Sequence, residues 1–156
     1  MSYWDTACLV KLYVSEPNSA EFEAYAATLD ERPVTGEFAR LELWTVLRRK
    51  EAESSLASGE ARQLLDVFEE NAARGLTQLV PLTEKVSREF ERVVEKCLSQ
   101  KPPVFIRTLD ALHLAAAREA DETCIVTTDK RLRDGALLLG FTVFPANAGG
   151  EVFKIS

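Results

Sequence analysis

Residues 107–132 read RTLDALHLAAAREADETCIVTTDKRL. After Arg107 and Thr108, the next nine residues are Leu and Ala, broken by one acid, Asp110, and one imidazole, His113. Leu109, Leu112, Leu114 and Ala116 would point in several directions from a helix, so this helix is expected to be buried nearly all round. Thr108 is placed to cap it. TCIVTT then reads as a buried strand, and Asp129 follows it directly. A helix is expected from Asp129 to Leu139, stopped by Gly140.

Outward from this stretch the same alternation continues. SYW at 2–4 is a short apolar run ending at Asp5, with a short helix behind it carrying Leu9, Val10, Leu12 and Tyr13. Pro17 is expected to open a second helix, marked by Phe22, Tyr25, Ala26 and Leu29 at spacings of three and four. PVT at 33–35 is extended, and Thr35 is expected to cap a helix from Gly36 to about Glu53. Ala61, Leu64, Leu65, Phe68 and Ala72 mark another helix, closed by Gly75. LTQLVPL at 76–82 is extended, with Pro81 marking a strand end or an edge. Thr83 caps a helix whose stripe is Val86, Phe90, Val93, Val94, Cys97 and Leu98, and Pro102 and Pro103 break the chain after it. FTVF at 141–144 is the last strand. Strands of four or five residues alternating with helices predict an α/β fold, a short parallel sheet flanked by helices on both faces. The 156 residues fit one domain, 1–156, with no repeat, linker or low-complexity tract.

Composition narrows the function. A hydrophobic share of 46% and a charged share of 28% suit a soluble globular chain able to bury a core without disulfides. MSYWDTACLV is not a signal peptide, and no apolar run approaches the ~20 residues that cross a bilayer. Cys8, Cys97 and Cys124 match no zinc spacing and read as core thiols of a cytoplasmic protein. A single histidine excludes chemistry needing two imidazoles and rules out a His-rich metal site. A net charge of −6 is unfavourable for binding nucleic acid, so any such partner needs a specific account.

Ligands of parallel sheets sit beyond the carboxyl ends of the strands. Asp5 and Asp129 each follow a strand, although each is also a natural helix N-cap. Glu42 lies in FARLELWTVLRRK and shares a helix face with Phe38 and Val46. An acid on an apolar stripe needs a partner, and a structural pair with Arg49 or Arg107 is the ordinary alternative. Asp110 sits in the first turn of its helix, where the dipole favours an anion, yet that helix is expected to be buried. His113 between Leu112 and Leu114 reads as a satisfied core histidine. Taken together, four poorly solvated acids must be neutralised, and a hard divalent cation would do it. Four carboxylates could hold two ions roughly 3.5–4 Å apart, as in phosphoryl displacement.

On these residues the chain resembles the PIN-domain ribonucleases, and within them the VapC-like toxins of toxin–antitoxin pairs. The matching stretches are DTACLVKLY at 5–13, ELWTVLRR at 42–49, RTLDALHLAAA at 107–117, TTDKRL at 127–132 and GFTVF at 140–144. The resemblance implies a PIN-like three-layer fold and a Mg2+-dependent endoribonuclease, with Mn2+ as substitute. It also implies an RNA substrate, a cognate antitoxin and a homodimer. By motif match the catalytic and metal-binding acids fall on Asp5, Glu42, Asp110 and Asp129, and Thr127 or Thr128 takes the hydroxyl position before the last acid. Ala7 departs from the Ser or Asn frequent in the family, which leaves a catalytically inactive PIN-like binding module as one alternative.

Thr6 and Thr128 are candidates to orient waters or phosphate oxygens, and Asp134 is either an outer neighbour of the site or simply exposed. Two divalent ions would cancel four of the six net negative charges. Lys11, Arg49, Arg107, Lys130 and Arg131 could form a positive rim contacting RNA, with Arg48, Lys50 and Arg133 also near the motifs. A Mg-dependent phosphatase or receiver-like phosphotransfer domain is the other alternative. The first would need an acid where Ala7 stands, and the second an acid within QLVPL at 78–82; neither is present.

Overall fold

The computed structural model describes residues 2–29 and 32–146. The expected participation of both termini in the domain falls partly outside that range, since residues 147–156 are not among those described. The elements run β1 (Ser2–Trp4), α1 (Thr6–Val10), α2 (Ser19–Thr28), β2 (Val34–Gly36), α3 (Ala39–Ala52), α4 (Glu60–Ala73), β3 (Gln78–Val80), α5 (Glu84–Leu98), α6 (Thr108–Glu119), β4 (Cys124–Val126), α7 (Lys130–Leu138) and β5 (Thr142–Phe144). The five strands are parallel, in the order β3-β2-β1-β4-β5. Each is three residues long, shorter than the four or five expected.

Strand periodicity builds two cores from one sheet. Tyr3 of β1 and Ile125 of β4 face a cluster with Val93 and Cys97 of α5, Leu114 of α6 and Leu132 of α7. The next residues, Trp4 and Val126, face the other way, onto Leu9, Phe22, Leu43, Leu47, Leu65 and Phe68 of the first four helices. Successive strand side chains alternate sides, so both faces of these strands are apolar and both are covered. The small residues Ala115, Ala116 and Ala117, all fully buried, keep α6 close to its neighbours.

Two expected caps are corrected. Thr35 lies within β2 with its hydroxyl donating to the Trp4 carbonyl at 2.9 Å, so it stitches two strands and caps nothing. The following helix begins only at Ala39, because Gly36 completes β2 and the Glu37 amide extends the ladder to the Val80 carbonyl. Thr108 is the first helical residue of α6, and the cap position belongs to Arg107. The second helix starts at Ser19, after Asn18 in the left-handed region at φ 70°, rather than at Pro17. Thr83 does cap its helix, and Gly75 and Gly140 stand just beyond helix ends at φ 71° and 88°.

Candidate active site

In the sheet, β1 connects to β2 on one side and pairs with β4 on the other. This is the point where the strand order reverses, and crevices in parallel sheets open there, beyond the carboxyl ends. Asp5 leaves β1 and Asp129 follows β4 across that point, and the Asp5 amide bonds the Val126 carbonyl at 3.1 Å. Both are N-caps. The Asp5 carboxylate accepts from the Cys8 amide at 2.7 Å, and Asp129 Oδ1 accepts from the Arg131 and Leu132 amides at 2.8 and 3.2 Å. The capping reading of each acid is therefore correct, and it leaves the second oxygen of each for other work.

Thr127 uses that remaining capacity. Its hydroxyl donates to Asp5 Oδ2 and accepts from the Asp129 amide at 3.0 Å, holding the two acids in register. Asp110 is the third residue of α6 and makes the carboxylate half of a capping box, Arg107 at the N-cap having no side-chain acceptor to return the bond. Its Oδ2 accepts from the Arg107 amide at 3.3 Å. The Arg107 side chain then reaches over both acids, with Nε on Asp110 Oδ2 at 2.9 Å, and Nη2 on Asp110 Oδ1 at 3.2 Å and Asp129 Oδ2 at 2.5 Å.

Glu42 joins from α3. The partners expected for it, Arg49 and Arg107, are not its hydrogen-bond donors. Thr6 Oγ1 donates to Oε2 at 2.7 Å, and His113 Nε2 lies 2.9 Å from the same oxygen. On the far side of the imidazole, Nδ1 is 2.9 Å from the Tyr3 hydroxyl, which accepts from the Gly36 amide at 2.8 Å. With the ring proton assigned to Nε2, the polarity runs consistently from the Gly36 amide through Tyr3 and His113 to Glu42. His113 is buried and satisfied, as the sequence suggests, but its partner is a candidate site acid.

The acids sit in different electrostatic states. Burial pushes the Asp5 carboxyl up, with the Thr127 and Cys8 bonds opposing it only in part. Burial also acts against Glu42, but the His113 and Thr6 bonds and the Arg107 charge hold it below its ordinary value. Asp129 is likewise held low against desolvation, by the Leu132 and Arg131 amides and by Arg107. The bonds and charge of Asp110 and the charge of Asp129 push Arg107 up. Glu42, Arg107, Thr108, Leu109 and Asp110 line an open cavity of about 370 Å³.

The remaining candidates divide. Thr6 bonds Glu42, and Thr127 joins Asp5 to the Asp129 amide. Thr128 is exposed. Asp134 pairs with Lys130 at 2.6 Å one turn along α7 and is not joined to the acids by any bond described here. Arg49, Lys130 and Arg131 are exposed. Lys11 stands at the opposite end of α1 from Asp5, with its ammonium on Glu16 at 3.1 Å and the Pro17 carbonyl at 3.2 Å. Tyr3 and the structural partnership of His113 with Glu42 escape sequence reasoning. The contacts span separations of 110 and 71 residues, and no local spacing carries them. Among the described residues, no group of three or more His, Cys, Asp or Glu side chains is arranged to hold a metal ion. Nor is any helix among them long and apolar enough to cross a membrane.

Residues 2–137 match the PIN domain family. Ribonuclease VapC47 of Mycobacterium tuberculosis (strain CDC 1551 / Oshkosh) is 33% identical over 146 residues, 90% of this chain and 93% of the relative. Ribonuclease VapC46 of Mycobacterium tuberculosis (strain ATCC 25618 / H37Rv) is 32% identical over 143 residues, 90% and 94% of the two chains. Among solved structures, FitAcB from Neisseria gonorrhoeae aligns with a TM-score of 0.67 at 18% identity, over 94% of this chain and 98% of that one. VapBC2 from Rickettsia felis, bound to a DNA fragment from their promoter, aligns at 0.62 and 15% identity, over 92% and 97%. Mycobacterium tuberculosis VapC20, a Sarcin-Ricin loop cleaving toxin, aligns at 0.64 and 16% identity, over 91% and 97%. At these identities the structural likeness speaks for the fold alone.

Proposed function

The chain belongs to the PIN-domain family, and within it to the VapC ribonucleases; from that premise we infer that it is the endoribonuclease toxin of a toxin–antitoxin pair. The observation that carries this reading is the meeting of four acids at the sheet's switch point: Asp5, Asp129 and Asp110 are joined through Thr127 and Arg107, and Glu42, held separately by Thr6 and His113, lines the same cavity as Arg107 and Asp110.

By their chemistry the donors suit Mg2+, with Mn2+ as substitute, although as the side chains stand Arg107 occupies Asp110 and Asp129 and no three acids among the described residues are gathered about one point. All four acids offer hard oxygens. The buried Asp5 carboxylate is met by a hydroxyl and an amide, neither of them charged. A guanidinium already bridges two of the others, so positive charge is accommodated there. An ion held by these acids supplies Lewis acidity toward a phosphate oxygen and a more acidic water. The chain's own groups do the positioning. Thr127 aligns Asp5 with Asp129. Thr6 and His113 both bond Oε2 of Glu42 and so fix its rotamer. Lys130, Arg131 and Arg49 are exposed to contact the RNA backbone on either side, and Thr128 is exposed beside Asp129 to meet a phosphate oxygen. Lys11, tied to Glu16, steadies the segment between α1 and α2 instead. Attack by water leaves a 5′-phosphate and a 3′-hydroxyl.

The reading includes a homodimer and a small antitoxin. The antitoxin's inhibitory segment would set Arg or Lys against the acids, where charge-assisted bonds are strong. The test is digestion of total and structured RNAs with Mg2+, Mn2+ or EDTA, followed by end mapping. Cleavage is expected with either metal, absent in EDTA, and lowered by orders of magnitude in Asp110→Asn. Full cleavage by purified Asp110→Asn would sink the assignment of the acids.

A further inference from the structure

Resting on the metal-dependent reading above, we propose that Arg107 is the resident counter-cation of the acidic cleft, which a divalent metal must displace from Asp110 and Asp129. The geometry is specific. One guanidinium makes three charge-assisted bonds to two carboxylates that come from different elements, at 2.9, 3.2 and 2.5 Å. The planar fork of arginine suits such bridging, which a lysine ammonium could not reproduce.

The cation is also poorly placed except for those acids. It projects from the N-terminus of α6, where the exposed amides already carry partial positive charge. Asp110 and Asp129 therefore do for Arg107 what they would do for a metal ion, and each acid oxygen engaged by the guanidinium is lost to coordination.

Displacement does not require unfolding the helix start. The Arg107 backbone is held separately, its amide bonding Asp110 Oδ2 at 3.3 Å. Its side chain is 55% exposed, whereas that of Asp110 is 8% exposed. The guanidinium can thus leave toward solvent while the carboxylates remain where they are. Arg107 also lines the same cavity as Glu42, so its removal changes the surroundings of three of the four acids at once.

The test titrates the full-length protein with Mn2+, following free metal by electron paramagnetic resonance, for wild type, Arg107→Ala, Arg107→Lys and Arg131→Ala. The last removes a nearby charge that makes no bridge and controls for the general field. Arg107→Ala is expected to bind Mn2+ on the order of tenfold more tightly than wild type. Arg107→Lys should fall between them, and Arg131→Ala should stay within about twofold of wild type. Thermal melting alongside should show Mn2+ stabilising Arg107→Ala more than wild type. Should Arg107→Ala fail to fold, Arg107→Lys against wild type carries the same comparison. Affinity in Arg107→Ala no higher than in Arg131→Ala overturns the proposal while leaving the metal site standing. Absence of Mn2+ binding in wild type and Arg107→Ala alike overturns the metal-dependent reading itself.

Discussion

Asp5 and Asp129 leave neighbouring strands and cap the helices that follow, yet their charges stand in opposite energetic positions. Desolvation raises the Asp5 carboxyl, so near and above the unfolded value of about 3.9 the folded state holds a proton that the unfolded chain has released. Its charge therefore opposes folding. The penalty builds as pH rises from the unfolded value toward the folded one and is complete above the folded value. Asp129 and Glu42 are held low, so their stabilisation is present above their unfolded values and is lost as pH falls through the folded ones. In EDTA at pH 7, Asp5→Asn should melt no lower than wild type, because Asn also caps helices. Each ~1 kcal/mol relieved would raise the melting temperature by about 2–4 °C at this length. Asp110→Asn should melt lower, since it loses a bidentate pair whose acid is buried, a loss of roughly 1–3 kcal/mol. Scanning calorimetry of the two variants decides; if Asp5→Asn were the less stable, its carboxylate would be a structural group.

At the scale of elements, the middle of α6 and the turn before α3 meet at His113. Its ring makes an edge contact with Tyr3, centroids 5.7 Å apart, and lies 4.9 Å from the Phe38 ring. Gly36 makes that packing feasible, because a Cβ there would collide with Phe38. We expect Gly36→Ala to cost about 1–3 kcal/mol through overpacking. Activity should fall as well, as Phe38 shifts against the imidazole that orients Glu42. His113→Ala should be worse, roughly 2–5 kcal/mol, since it opens a cavity and strands both Glu42 and the Tyr3 hydroxyl. Denaturant melts check both, and a Gly36→Ala protein as stable and active as wild type would mean that the turn does not position the site.

At the scale of the whole molecule, the net charge of −6 and an RNA substrate are reconciled by distribution rather than total. Three acids of the network are buried or paired inside the cleft, while Lys130 and Arg131 stand exposed at the start of α7 beside it. Backbone contacts of this kind make binding salt-dependent. Replacing Lys130 or Arg131 with Ala should weaken RNA binding across sequences and reduce the salt slope by about 0.7 each. Fluorescence anisotropy over a salt series measures this, and an unchanged slope would remove those residues from the interface.

The sequence by itself determined the alternation of strands and helices, and hence a parallel sheet covered on both faces, because apolar periodicity is a local property of the chain. It also marked Asp5 and Asp129, since an acid directly after a buried strand is visible within a few residues. Pro81 foretold the end of β3, which pairs with β2 alone. Only the tertiary structure decided the order of the strands, and with it that β1 and β4 lie side by side so that Thr127 can bridge two acids 124 positions apart in the chain. It decided that Thr35 serves a strand and not a helix cap, because a free hydroxyl takes whichever acceptor packing brings near, here the Trp4 carbonyl. It also chose His113 and Thr6 for Glu42, and gave Arg107 to Asp110 and Asp129. Charged and polar side chains carry no address for their partners in local sequence. Burial requires that they find one, and the fold determines which.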